Sequence, residues 1–144
     1  MSVGDLHHLE IWVGDLAVAE RSWGWLLTAL GYRERVRWTG GVSWSRANGP
    51  YIVLEQGPDV VATRHDRLRP GLNHLALHAG SPRDVDALVA EALQHGWTLL
   101  FEDRHPYAGG SAHYAAYLED DSGFEVELVA RQASAPDGPS APTT

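Results

Sequence analysis

Two stretches of the chain carry the same alternation of polar and apolar positions. From His8 to Val13, His8, Glu10 and Trp12 fall on one side and Leu9, Ile11 and Val13 on the other. That is the two-residue period of a half-buried strand. Asp15 then stands where a helix N-cap belongs. Ala19, Trp23, Leu26, Leu27 and Leu30 recur at helical spacing, and Gly31 is placed to end the helix. In the second stretch, His74, Ala76 and His78 oppose Leu75 and Leu77. Ser81 is the cap, Pro82 the first helical residue, and Asp84 sits in the first turn. Val85, Leu88, Val89, Ala92 and Leu93 form the apolar stripe, and Gly96 ends it.

The distances agree as well as the residue types. His8 precedes Asp15 by 7 residues, and His74 precedes Ser81 by 7. Cap to glycine is 16 residues in the first half and 15 in the second. The chain therefore contains an internal repeat of about 65 residues.

After each helix the period shortens to that of strands. The first half predicts strands near 32–38, 42–47 and 50–56, turned at "TGG" and "ANGP". The second predicts strands near 97–102, 112–119 and 123–130, separated by "HPYAGG" and "EDDSG". The fold class expected is α+β: two tandem strand–helix–three-strand modules forming a curled mixed sheet around a cleft. They make one domain over 1–131, with modules at about 5–57 and 71–130 and a linker over 58–70. The Pro/Ala/Ser-rich stretch 132–144 reads as a disordered tail.

Composition narrows the function. With 44% apolar residues in 144, the chain can build a real core. A net charge of −8 argues against nucleic acid as a partner. No lysine and no cysteine occur, so Schiff-base chemistry, disulfides and thiolate nucleophiles or metal ligands are excluded. Any metal must be held by His, Asp or Glu. No signal peptide is visible and no apolar run is long enough to span a bilayer; the expectation is a cytoplasmic protein with no membrane partner.

The strand faces suggest where chemistry lies. The last strand of each half puts aliphatics on one face (Ile52 and Leu54; Phe124, Val126 and Leu128) and a carboxylate, Glu55 or Glu127, on the other. If the aliphatic face packs on the helix of its own half, then His8, His74, Glu55 and Glu127 line a cleft. Carboxylates in a cleft are costly unless paired or metal-bound. Two imidazoles with carboxylates suit a divalent first-row metal acting as a Lewis acid.

"HHLEIWVGDL", "LNHLALH" and "DDSGFEVELVA" in paired modules resemble the vicinal oxygen chelate superfamily, which includes glyoxalase I, extradiol dioxygenases and bleomycin-resistance proteins. The resemblance covers about residues 5–130. It implies a metal set of His8, Glu55, His74 and Glu127, with Glu55 or Glu127 as catalytic base. The cofactor implied is a divalent metal, Zn, Ni, Co, Mn or Fe. The activity implied is isomerase, lyase or epimerase chemistry on a small oxygenated substrate. An Fe(II) extradiol-type dioxygenase using only His8, His74 and Glu127 is the first alternative. A metal-free protein that sequesters an aromatic natural product or antibiotic is the second. The resemblance also implies a homodimer. Substrate contacts are expected from Trp12, Trp44, His78, Tyr107, His113 and Glu125. The first two are aromatic walls suited to a flat ligand. His113 and Tyr107 lie in a glycine-bearing segment rich in groups that move protons.

Overall fold

The computed structural model describes residues 2–132; apart from Gln132, the tail expected over 132–144 lies outside the described residues. Two four-stranded mixed sheets account for all the strands in them. In the first half, β1 (His8–Trp12) leads into a helical run over 16–29, then β2 (Arg33–Trp38), β3 (Gly41–Ser45) and β4 (Tyr51–Glu55). In the second half, β5 (His74–His78) leads to a helix, then β6 (Trp97–Leu99), β7 (Ala115–Asp120) and β8 (Glu125–Val129). The strand orders are β1-β4-β3-β2 and β5-β8-β7-β6. In both sheets the first strand runs parallel to the last and the other pairs are antiparallel. The repeat read from spacing is thus a repeat of topology.

The helices start as their sequences dictate. Asp15 accepts from the Val18 N–H at α1 (Leu16–Ala19). Ser81 and Asp84 cap each other reciprocally at α3 (Pro82–Ala92), with Pro82 in the first turn. The first helix is less regular than its spacing predicts. A wide π-helical turn, Glu20–Gly24, lies between α1 and α2 (Trp25–Ala29). That turn buries Ser22, Trp23 and Gly24 together. Two strands are shorter than expected. β6 stops at Leu99, and Phe101 then turns the chain at a φ of 56°. Residues 112–114 precede β7, because the His113 N–H closes a turn onto the Gly110 carbonyl.

The aliphatic faces behave as the alternation requires. Ile11, Val13, Ile52, Leu54, Leu118, Val126 and Leu128 are all buried. They do not pack only within their own halves. Trp23 lies edge-on to Trp97, ring centroids 5.4 Å apart, and to Phe124 at 6.3 Å. Its indole N–H donates to Asp120, and that of Trp97 donates to the Ser22 carbonyl. One core therefore runs through both modules. The linker is tied down too: the His65 N–H bonds the Ser122 carbonyl, and its ring stacks on Phe124 at 4.5 Å. Gly123 turns at a φ of 87°, and a Cβ there would collide with the His65 carbonyl oxygen.

Candidate functional site

The polar face of the second sheet is built by register. β7 pairs with β8 so that Tyr117 is directly opposite Glu127, and β5 pairs with β8 so that Ala76 is opposite Glu127 and His74 opposite Glu125. Alternation puts His74, Tyr117, Glu125 and Glu127 on one side of the sheet. His113, from the turn before β7, reaches the same place.

These residues converge on Glu127. The His74 Nε2 lies 3.1 Å from its Oε2. The Tyr117 hydroxyl donates to Oε1 at 3.0 Å, and the His113 Nε2 makes a short hydrogen bond to the same oxygen. The carboxylate itself is buried, whereas the His74 and His113 side chains are 33% and 36% exposed. A ligand arriving from solvent meets imidazoles first. Burial pushes the Glu127 carboxyl up, but the bonds from His113 and Tyr117 and the nearby imidazoles outweigh it and hold the group below its ordinary value. Burial, then the bond to Glu127, pushes the Tyr117 phenol up to about 12.

Glu125 is a different kind of group. It is buried on the same face, 3.0 Å from the Arg67 Nη1. That guanidinium is a charge partner standing off the hydrogen-bond direction, so the Glu125 Oε2 has no donor. Burial prevails over Arg67 and raises its carboxyl above the ordinary value. His74 is anchored from behind: its Nδ1 is 2.8 Å from the Asn73 Oδ1, and the Asn73 amide donates to the Arg67 carbonyl.

The first sheet does not supply a matching group. The register pairs His8 with Tyr51 and Glu10 with Val53, so Val53 occupies the place that Glu127 holds in the second sheet. Glu55 lies two residues further on, paired with Trp12 and half-buried at the end of β4. Its face in the alternation matches that of Glu127; its position along the strand does not. His8 is exposed, stacked on Tyr51 at 4.8 Å, with its Nδ1 2.8 Å from that of His7. Of the expected metal set, His74 and Glu127 are in contact. Among the described residues no three His, Asp or Glu side chains are arranged to hold a metal ion. The carboxylate lies between two rings, one oxygen to each, rather than sharing a vacant point with them.

The other expected contacts are scattered. Trp12 is on the His8 face as read, with its indole N–H on Glu10, and both line a cleft of about 380 Å³ closed by the linker, Leu72 and Phe124. Trp44 stands on the core side of β3, paired with Ile52 and lying against the helix at Gly24, rather than in the cleft. The opposite face of β3 carries the small Ser43 and Ser45. His78 is exposed and opens to a separate hollow of about 260 Å³ beside Leu30, Arg46 and Asp84. Tyr107 is exposed and edge-on to Tyr114, whose hydroxyl bonds Asp86. Sequence reading missed Tyr117, Asn73 and Arg67. Tyr117 had a signal: equal steps back and forward from the 121–123 turn pair it with Glu127. Arg67 had none, since its role depends on how the linker folds.

Comparison with known proteins agrees with this architecture. Residues 7–117 match the model of the Glyoxalase/Bleomycin resistance protein/Dioxygenase superfamily. The uncharacterised protein YqjT of Bacillus subtilis (strain 168) is 41% identical over 125 residues, 87% of this chain and 98% of its own length. The crystal structure of a candidate glyoxalase from Bacillus halodurans is 43% identical with a TM-score of 0.83, covering 89% of this chain and 96% of that one. A glyoxalase/bleomycin resistance protein from Albidiferax ferrireducens T118, at 24% identity and a TM-score of 0.69, shares the fold over 88% of this chain and 98% of its own. No helix among the described residues is long and apolar enough to cross a membrane.

Proposed function

The chain belongs to the glyoxalase/bleomycin resistance protein/dioxygenase superfamily, and from that premise we propose that it is an enzyme of isomerase, lyase or epimerase type, with Glu127 as its proton-transfer group. The substrate is a small oxygenated molecule bearing an acidic C–H beside a carbonyl. One observation carries the reading: a single buried carboxylate on an open sheet face is met by two imidazoles and a phenol. Depressed below its usual range, Glu127 is ionised at neutral pH and able to accept a proton. His74 and His113 stand between it and solvent, placed to pass that proton on or to donate to the substrate oxygen that gains charge. The proton leaves carbon for a Glu127 oxygen and returns to the neighbouring carbon, to the other face of the same carbon, or to the leaving group.

The superfamily generally uses a divalent metal, and Zn, Ni, Co, Mn or Fe is the cofactor the resemblance implies. Within one chain the expected four ligands do not fit such a group, because His8 and Glu55 are not with His74 and Glu127. The proton chemistry above is therefore assigned to the chain's own residues. A homodimer that lays the His8 face of one copy against the His74 face of another is the assembly this reading expects to complete the donor set. Val53 in place of a fourth carboxylate also leaves a His8, His74 and Glu127 set, which keeps the dioxygenase as the competing reading.

The test is deuterium exchange. Hydroxyketones and hemithioacetals of 2-oxoaldehydes are incubated with protein in D₂O and followed by NMR. Wild type should exchange the C–H, and Glu127→Gln should lower the rate by about 10²–10⁴-fold with its circular dichroism unchanged. Equal exchange in the two proteins removes Glu127 from the role. Oxygen uptake with catechols by iron-loaded protein, without C–H exchange, replaces the reading with the dioxygenase.

A further inference from the structure

The segment over 100–114, between β6 and β7, is held against the ring of Tyr117 at both ends. The Leu100 N–H bonds the Tyr117 carbonyl, and the Phe101 ring stands edge-on to that of Tyr117 at 5.6 Å, with the Arg104 guanidinium over Phe101. The Ala115 N–H bonds the Pro106 carbonyl. Two successive turns share Gly110: its N–H bonds the Tyr107 carbonyl at 3.0 Å, and its own carbonyl accepts from the His113 N–H at 3.0 Å. Gly109, inside the first of these turns, is thereby set against the cluster around Glu127.

The two glycines answer different needs. Gly110 has a φ of 133°, a conformation that costs any other residue strain, and a Cβ there would meet open space. Gly109 needs room instead. A Cβ there would lie 2.6 Å from the Tyr117 hydroxyl oxygen and 2.8 Å from the His113 Cδ2, well inside the separation of about 3.5–4.0 Å at which carbon atoms rest in contact. Both atoms belong to side chains that bond the Glu127 Oε1. Neither can swing aside without leaving that bond, and the turns hold the backbone on the other side. A bare Cα at residue 109 is the condition under which the phenol and the imidazole share one carboxylate oxygen.

We propose that Gly109 is a positioning residue: it lets the 100–114 segment close on the Tyr117 hydroxyl and the His113 ring, and so keeps both on the Glu127 Oε1. It makes no bond to Glu127 and acts through those two side chains. Its part in turnover rests on the reading of Glu127 as the proton-transfer group; the steric lock does not.

Four full-length variants test it: Gly109→Ala, Gly110→Ala, Tyr117→Phe and the Gly109→Ala/Tyr117→Phe pair. Crystal structures of wild type and Gly109→Ala read the lock directly. Wild type should show both bonds to Oε1, and Gly109→Ala should show the Tyr117 hydroxyl or the His113 ring displaced from it. Both bonds retained in Gly109→Ala, with the segment moved outward, overturns the proposal. In the exchange assay Gly109→Ala should lose about 10²-fold in kcat, the scale of a misplacement of about 1 Å, with KM little changed. Gly110→Ala strains the backbone without adding a contact, so it should be less stable yet keep the wild-type kcat. Equal losses of kcat in the two variants would reduce Gly109 to an ordinary turn residue. Tyr117→Phe vacates the space that the new methyl needs, so adding Gly109→Ala to it should cost little more; fully additive losses count against the lock. If Gly109→Ala does not fold, the double variant should, and a double variant that also fails to fold overturns the proposal. If no substrate exchanges at all, the crystal structures still decide, so failure of the enzymatic reading and failure of this one are seen separately.

Discussion

The two sheets share a topology and a strand order, yet only one of them gathers chemistry. At the centre of the second sheet's polar face, Glu127 receives His74, His113 and Tyr117. At the same register position of the first sheet stands Val53, flanked by Glu10 on β1 and Ser43 on β3. His8 keeps its place at the head of its strand but stacks on Tyr51 instead of meeting an acid. Duplication of a fold therefore does not duplicate a site. The backbone fixes which positions face each other, and a single residue at the central position decides whether those facing groups have anything to hold.

Exchanging those central residues gives the largest effects. Glu127→Gln should abolish most of the proton exchange while the fold persists, since an amide can still receive the Tyr117 hydroxyl. The converse, Val53→Glu, should install no activity. A carboxylate there is buried beside Glu10, already bonded by Trp12, and beside a Ser43 hydroxyl directed at the Val36 carbonyl. With no donor to receive it, the charge should cost about 3–5 kcal/mol at neutral pH, read by urea unfolding. A Val53→Glu protein as stable as wild type would mean that the first sheet can accommodate the charge, and the contrast between the halves would fail.

How far the sequence revealed this contrast depends on the kind of information needed. Faces and repeats follow from period alone, so the order of elements, the buried aliphatics and the shared polar face of His74, Glu125 and Glu127 were all legible. Glu55 shows where spacing stops short. Counting along a chain locates a strand but not its register, and a shift of two residues preserves the face while moving the group to the strand's end. Trp44 shows a second limit. Two serines flanked it, and alternation said only that it opposed them. Which side was core became clear from its pairing with Ile52. Asn73 and Arg67 depend on a loop whose path no periodicity encodes.

The joint between the modules is the next thing to break. Trp23→Ala empties a site shared by both halves and should cost about 3–5 kcal/mol. Trp23→Phe keeps most of the packing and removes the N–H that Asp120 accepts. Burial already raises the Asp120 carboxyl above its ordinary value, against bonds from the Phe124 and Ser122 N–H groups and Trp23. A folded value above the unfolded one means that ionisation opposes folding: the cost is absent at acid pH and grows as pH rises through the unfolded value toward the folded one. Losing a donor raises the folded value further. The Trp23→Phe penalty should therefore be about 1 kcal/mol at neutral pH and shrink as the pH falls through the folded Asp120 values, which lie above the ordinary carboxylate value, measured by urea titrations at several pH values.

Tyr117 reports on the second sheet from the alkaline side. Its phenol is pushed up to about 12, as is that of Tyr114 beside Asp86. Both favour the folded state while protonated. That contribution is whole below the unfolded value of about 10 and is lost as pH rises from there toward 12. Ultraviolet titration should show two tyrosines ionising late, and Tyr117→Phe should remove one of them. If the late phase is unchanged, the phenol does not bond Glu127.

The smallest effect separates the two halves at their helix starts. In the first, the Asp15 carboxylate satisfies one N–H, that of Val18. In the second, Ser81 and Asp84 bond reciprocally, and the Asp84 carboxylate also accepts from the Ser81 N–H. Asp15→Ala leaves the Val18 N–H without its acceptor, with only the Leu16 N–H still capped by the Gln56 side chain, and should cost about 1 kcal/mol. Ser81→Ala removes the hydroxyl but leaves Asp84 on the residue 81 N–H and Pro82 fixing the first turn, so its cost should fall toward the low end of the capping range, about 0.5 kcal/mol. Differential scanning calorimetry of the two variants makes the comparison. A larger loss for Ser81→Ala would place the stronger dependence on a cap in the second module, where α3 is a single regular helix, and not in the first, where the π-turn already weakens the run.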